Sequence, residues 1–122
     1  MAKSVNDLVL DGALNILKTT AILLTVCTTE PTTYAEASDT KKLADVAVDT
    51  NDFTIAPAVG GGRKVTIGAQ NGVLVDVSGN AEHVALCSAD ALLYVTTCTA
   101  QILTAGNALN IPAWVVTIAN PT

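Results

Sequence analysis

Glu82 and His83 form the adjacent pair in this chain whose side chains could transfer a proton. General acid–base catalysis needs such a group positioned beside a nucleophile or a polarised substrate. The chain has a single histidine and no glycine elbow around a serine. Side chains alternate between the two faces of the strand-like run at residues 82–86, so His83 lies on the opposite face from Val84 and Leu86. We interpret His83 as structural and predict that the chain is not an enzyme and has no catalytic residues.

Two further stretches carry groups that bind ions in other proteins. The run from Gly60 to Lys64 lacks the P-loop spacing, and a strand-like sequence from Val65 to Ile67 follows it instead of a helix. Asp49, Asn51 and Asp52 could offer oxygens to calcium, but the glycine and the final glutamate of a calcium-binding loop are missing. One histidine and cysteines without ligand spacing leave no zinc motif. We therefore predict no metal and no cofactor.

The three cysteines, Cys27, Cys87 and Cys98, cannot all pair within one chain, and none stands in a C-x-x-C spacing. Each lies in a strand-like run, where a free thiol packs as a small apolar group. We predict buried, reduced thiols, the usual state in a reducing cytoplasm. The alternative is a single disulfide between Cys87 and Cys98.

The distribution of charge excludes one class of partner and indicates another. A net charge of −5 and a pI near 4.4 argue against binding a phosphate backbone, which needs clustered Lys and Arg. From Ala91 to Thr122 the sequence contains no Asp, Glu, Lys or Arg. Uncharged strands that are exposed tend to pair with other chains, and free proteins protect such edges with charge. We predict that nucleic acid is not a partner and that this uncharged region contacts another protein.

No run of residues has the length and composition of a membrane span. The apolar run from Ala21 to Cys27 is far shorter than the ~20 residues that a spanning helix needs. Polar residues and Pro112 interrupt the uncharged C-terminal region. We therefore expect that the protein does not associate with a membrane and that it is synthesised in the cytoplasm.

The apolar periodicity predicts one domain over residues 1–122, with a helix at about 5–18 and a β-sandwich at about 21–118. Leu10, Leu14 and Leu17 recur at helical spacing. Ser4 followed by Asp7 resembles a weak capping box at the start of this helix.

After Thr20 the apolar period changes from 3.6 to 2, and short strands alternate with turn sequences. Many short strands without intervening helices are typical of antiparallel architectures. The pattern predicts an all-β antiparallel sandwich or barrel with one N-terminal α-helix and one helical turn around Tyr34 to Ala37. About nine strands are predicted, at 22–27, 43–48, 52–56, 63–69, 73–77, 83–87, 92–97, 101–104 and 111–118.

Six blocks of the sequence together carry a family resemblance: Val5-Asn6-Asp7, Leu10 to Asn15, Thr29 to Ala37, Gly62 to Thr66, Leu93 to Thr97 and Asn110 to Trp114. The most specific part is Glu-Pro-Thr-Thr-Tyr-Ala-Glu-Ala at residues 30–37. In these blocks the chain is similar to the small decoration, or cement, proteins of tailed bacteriophages. The resemblance implies a jelly-roll-like sandwich without catalytic residues that sits outside the capsid and clamps neighbouring major capsid subunits.

The last predicted strand is the candidate partner interface. Alternation places Trp114, Val116 and Ile118 on one face and Ala113, Val115 and Thr117 on the other, so that neither face carries a charge. A proline cannot donate to a ladder and marks a strand edge or start. The interface residues that we predict are Pro112, Ala113, Trp114, Val115 and Thr117.

We expect a virion structural protein on the capsid exterior, with the major capsid protein as partner and self-association into a dimer or higher oligomer on the shell. One alternative is a neck or tail position in the virion. Another is a small carbohydrate- or ligand-binding β-sandwich, although few aromatic residues are available to stack on a sugar.

Overall fold

The structure, a computed structural model, describes residues 6–119. This part of the chain is mostly antiparallel β-structure, preceded by helix α1 at Asp7–Thr20. The Asn6 side chain begins the helix by accepting a hydrogen bond from the Leu8 backbone N–H at 2.8 Å. The predicted N-terminal helix is confirmed, with both ends slightly later than expected. The proposed capping box required Ser4, which lies outside the described residues.

Nine strands lie in the described range, and they pair only antiparallel there. One sheet has the order β2-β1-β6-β7, a second has the order β3-β4-β9, and β5 pairs with β8. The predicted antiparallel β-structure is therefore confirmed. The strands are β1 Leu23–Cys27, β2 Lys42–Ala47, β3 Phe53–Pro57, β4 Arg63–Ile67, β5 Gln70–Leu74, β6 Gly79–Cys87, β7 Leu92–Leu103, β8 Ala108–Ile111 and β9 Trp114–Ile118.

The pairs β4/β9 and β5/β8 form one interrupted two-stranded ribbon. Ile67 pairs with Trp114 and Gln70 pairs with Ile111, so the same register continues across the interruption. Pro112, which has no backbone N–H to give to a ladder, lies at this break. The expected continuous strand over 111–118 was therefore wrong: the chain forms β8 and β9 instead.

Two other boundaries differ from the prediction. β7 is one strand over Leu92–Leu103, although the sequence indicated two; its register against β6 shifts at residues 98–100, where the break was expected. Asn71-Gly72, expected to be a turn, lies inside β5 at a register shift, with Gly72 at φ +70° and its N–H donated to the Asn110 side chain. A glycine with positive φ serves a β-bulge as well as a hairpin turn, so the dipeptide alone does not distinguish them.

One hydrophobic core receives side chains from α1 and from all three sheets. Leu14 and Leu17 of α1 join Leu24 and Leu86 of the first sheet and Phe53 of the second. The helix contacts β3 and β4, and the Arg63 Nε donates to Asp11 Oδ1 at 2.8 Å. Burial of the leucine stripe and this ion pair together fix α1 against its own sheet.

The opposite face of the β2-β1-β6-β7 sheet is covered by residues 28–41, which we call the cover segment. Ala37 of this segment packs with Ala85 and Cys87 of the sheet in a second apolar cluster, against which Tyr34 also lies. The segment contains the predicted helical turn, here a π-helical stretch at Glu36–Thr40. The Glu-Pro-Thr-Thr-Tyr-Ala-Glu-Ala block therefore covers a sheet face.

Candidate interaction site: an uncharged crevice between strand edges

Glu82 and His83 do not form an acid–base pair. No hydrogen bond joins them: the exposed Glu82 accepts a 3.5 Å bond from Asn80, and the buried His83 Nδ1 has no partner within residues 6–119. His83 lies opposite Cys27 in β1 and Thr97 in β7. Its position in the sheet supports the structural interpretation.

The loop candidates for ion binding are occupied by internal contacts. Asp49 accepts from the Asn51 N–H at 2.9 Å, and Asp52 accepts from the Asp49 N–H at 2.8 Å, closing a small capping box. Arg63, at the end of the glycine run, pairs with Asp11. Within residues 6–119 the structure contains no group of three or more His, Cys, Asp or Glu side chains that could hold a metal ion.

The thiols differ from the prediction at one position. Cys27 and Cys87 are free and buried, as expected, and burial raises the pKa of Cys87 to about 11. Burial also raises the pKa of Cys27 and, together with the charge of Glu82, that of Cys98. Cys98 is free but only half-buried, because it lies on an edge strand. The alternative Cys87–Cys98 disulfide is absent.

The most distinctive surface feature is a crevice between two strand edges. β7 is the last strand of its sheet, and β9 is the last strand of the second sheet. β8 continues the line of β9, with its own unpaired side away from β5. Within the described residues no ladder joins β7 to β8 or β9. We call the gap between them the β7–β9 crevice.

The crevice consists of three adjoining hollows. The first, of about 260 Å³, lies between the end of β7 and β8, and it shares Cys98 and Pro112 with a second hollow of about 240 Å³. The third, of about 420 Å³, lies between Leu93, Tyr94 and β9, and the helix α1 borders it through Ala13 to Leu17.

No charged side chain lines any of the three hollows. Val26, Ala81 and Val84 line the first hollow, Val84 also lines the second, and the remaining lining comes from β7, β8, β9, Pro112 and α1. Threonine, glutamine and asparagine side chains supply the polar groups. A surface of this kind is suited to an uncharged partner, since a charged group would lose hydration there without gaining a counter-charge.

The predicted interface residues fall largely on this crevice. Pro112, Trp114, Val115 and Thr117 line it, whereas Ala113 is exposed but does not contribute to the walls. The expected alternation is also present: Val116 is buried, while Val115 is 48% exposed. The structure thus brings four of the five residues to one surface.

An aromatic pair crosses the crevice near its middle. The rings of Tyr94 in β7 and Trp114 in β9 are stacked with centroids 6.0 Å apart. The Trp114 Nε1 is buried and has no hydrogen-bond partner among residues 6–119. A buried donor without an acceptor costs about 1–3 kcal/mol. The indole therefore rests in a position that an added acceptor would improve.

Sequence reasoning missed the second wall of the site, which Tyr94, Thr96, Thr97 and Cys98 provide from β7. The signal was present, because β7 lies in the same uncharged region as β9. What the sequence lacked was the pairing order that makes both strands sheet edges. The Ala13 and Ile16 side chains of α1 were missed because they belong to a helix predicted only to pack inward.

Within residues 6–119, no helix has the length and apolarity required to cross a membrane. Comparisons with protein-family models, with curated proteins and with solved structures each found no match.

Proposed function

We propose that this chain is a virion structural protein, a decoration protein that binds the outside of a tailed-phage capsid and clamps neighbouring major capsid subunits. The sequence resemblance suggests the virion. The observation that carries a binding role is the uncharged β7–β9 crevice, flanked by unpaired strand edges on a chain of net charge −5.

A jelly-roll-like sandwich is the architecture that goes with this proposal. The β2-β1-β6-β7 sheet would form one layer, and the ribbon of β4/β9 and β5/β8 with β3 would form the other. Support comes from the shared core and from the bridge between Ala44 and Val75, which links the two sides at the edge remote from β7. The crevice would then be the open side of the sandwich.

Apolar edges favour a protein partner over a small ligand. Exposed hydrophobic surface between uncharged strands is a hazard for a free protein, and it is retained where another protein covers it. Such contacts need not be strong individually, because a clamp that engages several subunits of a shell gains avidity. In the carbohydrate alternative an aromatic face would be offered to a sugar, but the Tyr94 and Trp114 rings stack on each other.

The test is co-sedimentation of the protein with undecorated capsid shells, paired with a thermal melt. Val115→Lys places a charge on an exposed crevice residue. Binding to shells should weaken at least about tenfold, equivalent to ~1.4 kcal/mol, because the Lys would be desolvated without a partner. The isolated protein should stay folded, with the free energy of unfolding changed by no more than ~0.5 kcal/mol.

Thr54→Lys is the matched control, because Thr54 is also an exposed strand residue but lies on β3, the opposite edge of the same sheet. It should bind like the parent. Equal binding of the Val115→Lys variant would contradict the proposal for the crevice. Mass spectrometry of purified particles provides the second measurement: hundreds of copies support a decoration protein, and a dozen or fewer would place the chain at the neck or tail.

A further inference from the structure

The walls of the β7–β9 crevice are strand edges rather than strand faces. Consecutive residues of a strand point to opposite faces of a sheet. The crevice nevertheless includes the consecutive residues Thr96, Thr97 and Cys98 on one wall and Trp114 and Val115 on the other. Only the side of a strand can present neighbouring residues together in this way. The crevice is therefore bordered by backbone as well as by side chains.

Unpaired edges offer a regular row of backbone donors and acceptors. Each edge strand has every second N–H and C=O directed away from its one partner, and this row is a template for another extended chain. β7 is one strand over Leu92–Leu103, but its register against β6 shifts between Leu86 and Cys87 and again between Ala81 and His83, so its regular row at the crevice covers residues 94–97. In β8 and β9 the row is broken at Pro112. Thr96 and Thr97 line the crevice within this regular part of β7, and this is where an extended segment would pair with the strand.

The charge of the lining restricts the side chains of such a segment. The crevice contains no charged group that could compensate a buried Lys, Arg, Asp or Glu. An incoming ion would lose its hydration without gaining a counter-charge, whereas Val and Ala have no polar side-chain group to desolvate and a Thr hydroxyl can bond to the Thr, Gln and Asn groups of the lining. The complementary occupant is uncharged.

We propose that the β7–β9 crevice binds an extended, uncharged segment of a neighbouring protein subunit, which adds to the β7 edge as a further strand. This inference rests on the proposed function for the existence of the subunit and specifies its mode of binding. Strand addition gives affinity through main-chain hydrogen bonds and specificity through alternate side chains. The orphan Trp114 N–H becomes bonded in the complex, because the added strand brings carbonyl oxygens to the crevice.

The test uses the intact protein and a short capped peptide in which Thr and Val alternate. Two readouts follow occupancy: emission from Trp114, the only tryptophan in the chain, and the alkylation rate of the half-buried Cys98. The peptide should shift the emission and slow the alkylation. Two control peptides should each bind at least about tenfold more weakly, corresponding to ~1.4 kcal/mol. One has alternate backbone nitrogens methylated, and the other carries two Glu in place of Thr.

A pair of variants locates the edge. Adjacent backbone N–H groups of a strand point to opposite sides, so one of Thr96→Pro and Thr97→Pro removes a bond to β6 and the other removes a free donor at the crevice. The variant that loses the hydrogen bond to β6 should have a lower melting temperature than the parent protein. The other should keep its melting temperature and lose peptide binding.

The outcomes separate the binding mode from the function. Equal binding of the N-methylated peptide, or no response to the parent peptide, overturns strand addition, even if shells still co-sediment. If peptides bind as expected and shells do not, strand addition stands and the capsid proposal fails. A thermally stable proline variant that binds the peptide normally would also overturn addition at β7.

Discussion

The β2-β1-β6-β7 sheet has an apolar outer face and an apolar edge, and the described part of the chain covers the face but adds no strand to the edge. Its outer face, with Ala85 and Cys87, is covered by the chain's own cover segment, residues 28–41. Its β7 edge, with Tyr94 and Cys98, opens on the crevice and has no strand added to it in the described part of the chain. The first surface is closed within the chain, whereas the second is the surface at which we propose that another protein binds.

The polar contacts of the two surfaces also differ. In the cover segment, the Thr32 backbone N–H and hydroxyl both donate to Glu36 Oε1 at 2.8 Å, and the Lys41 Nζ donates to the Glu30 carbonyl at 2.8 Å. These hydrogen bonds all join residues within the cover segment. At the crevice, by contrast, the Trp114 N–H has no acceptor within residues 6–119. The His83 Nδ1, on the same sheet face as Ala85 and Cys87, also has no partner among these residues, so an orphan atom alone does not distinguish the crevice from the covered face.

The largest expected effect is on the free energy of unfolding, and it distinguishes a buried from an exposed residue of helix α1. Leu14→Ala should lower the free energy of unfolding by roughly 2–4 kcal/mol, since Leu14 is 1% exposed and its removal leaves a cavity. Ile16→Ala is the matched control, because Ile16 is 57% exposed on the crevice side of α1, and it should change this value by no more than ~0.5 kcal/mol. Urea titration measures both. Similar losses for the two variants would mean that the α1 border of the crevice is ordinary core.

The burial of Leu14 was predictable, while the position of the crevice was not. Leucines at helical spacing identify the inward stripe because the helix must bury an apolar face. The order of strands in a sheet depends on long-range pairing that local periodicity does not contain. For this reason the sequence indicated the edge at Pro112 but could not place β7 opposite it. The bulge at Gly72 and the single strand β7 were missed for the same reason, since a partner strand decides whether a possible turn is used.

The next effect compares the thiols of the two surfaces. Cys98 should react with a thiol reagent in the native protein, whereas Cys27 and Cys87 should react at least about tenfold more slowly. Burial raises the pKa of all three thiols, that of Cys87 to about 11, so the contrast depends on access: Cys27 and Cys87 are buried, whereas Cys98 is half-buried. Peptide mapping after brief alkylation identifies the labelled residue. Rapid native labelling of Cys27 or Cys87 would show that the cover segment opens readily.

A smaller effect concerns the orphan donor. Trp114→Phe removes the buried N–H while keeping a ring beside Tyr94. The free energy of unfolding should change by no more than ~1 kcal/mol, because the lost apolar area is offset by removal of the unsatisfied group. Peptide binding, followed by protection of Cys98, should weaken. Tyr94→Phe is the control, since it retains the stack and the indole, and it should bind like the parent. Unaltered binding by the Trp114 variant would exclude an acceptor on the added strand.

The smallest effect tests whether Glu36 holds the cover segment. Hydrogen bonds from the Thr32 backbone N–H and then from its hydroxyl lower the pKa of the Glu36 carboxyl, and Lys41 at 3.5 Å adds to this. A carboxyl whose pKa is lower in the folded state stabilises the protein above its unfolded pKa and loses that contribution as the pH falls through the folded pKa. Glu36→Gln should therefore melt slightly lower near neutrality, and its melting temperature should fall less than the parent's on acidification. Glu82→Gln is the control: it removes the same charge from an exposed residue that, within residues 6–119, accepts one side-chain hydrogen bond of 3.5 Å, and its melting temperature should fall on acidification as much as the parent's. Parallel declines for the parent and Glu36→Gln would show that packing around Ala37 alone holds the cover, in which case both apolar surfaces of the sheet would be equally free of polar anchoring.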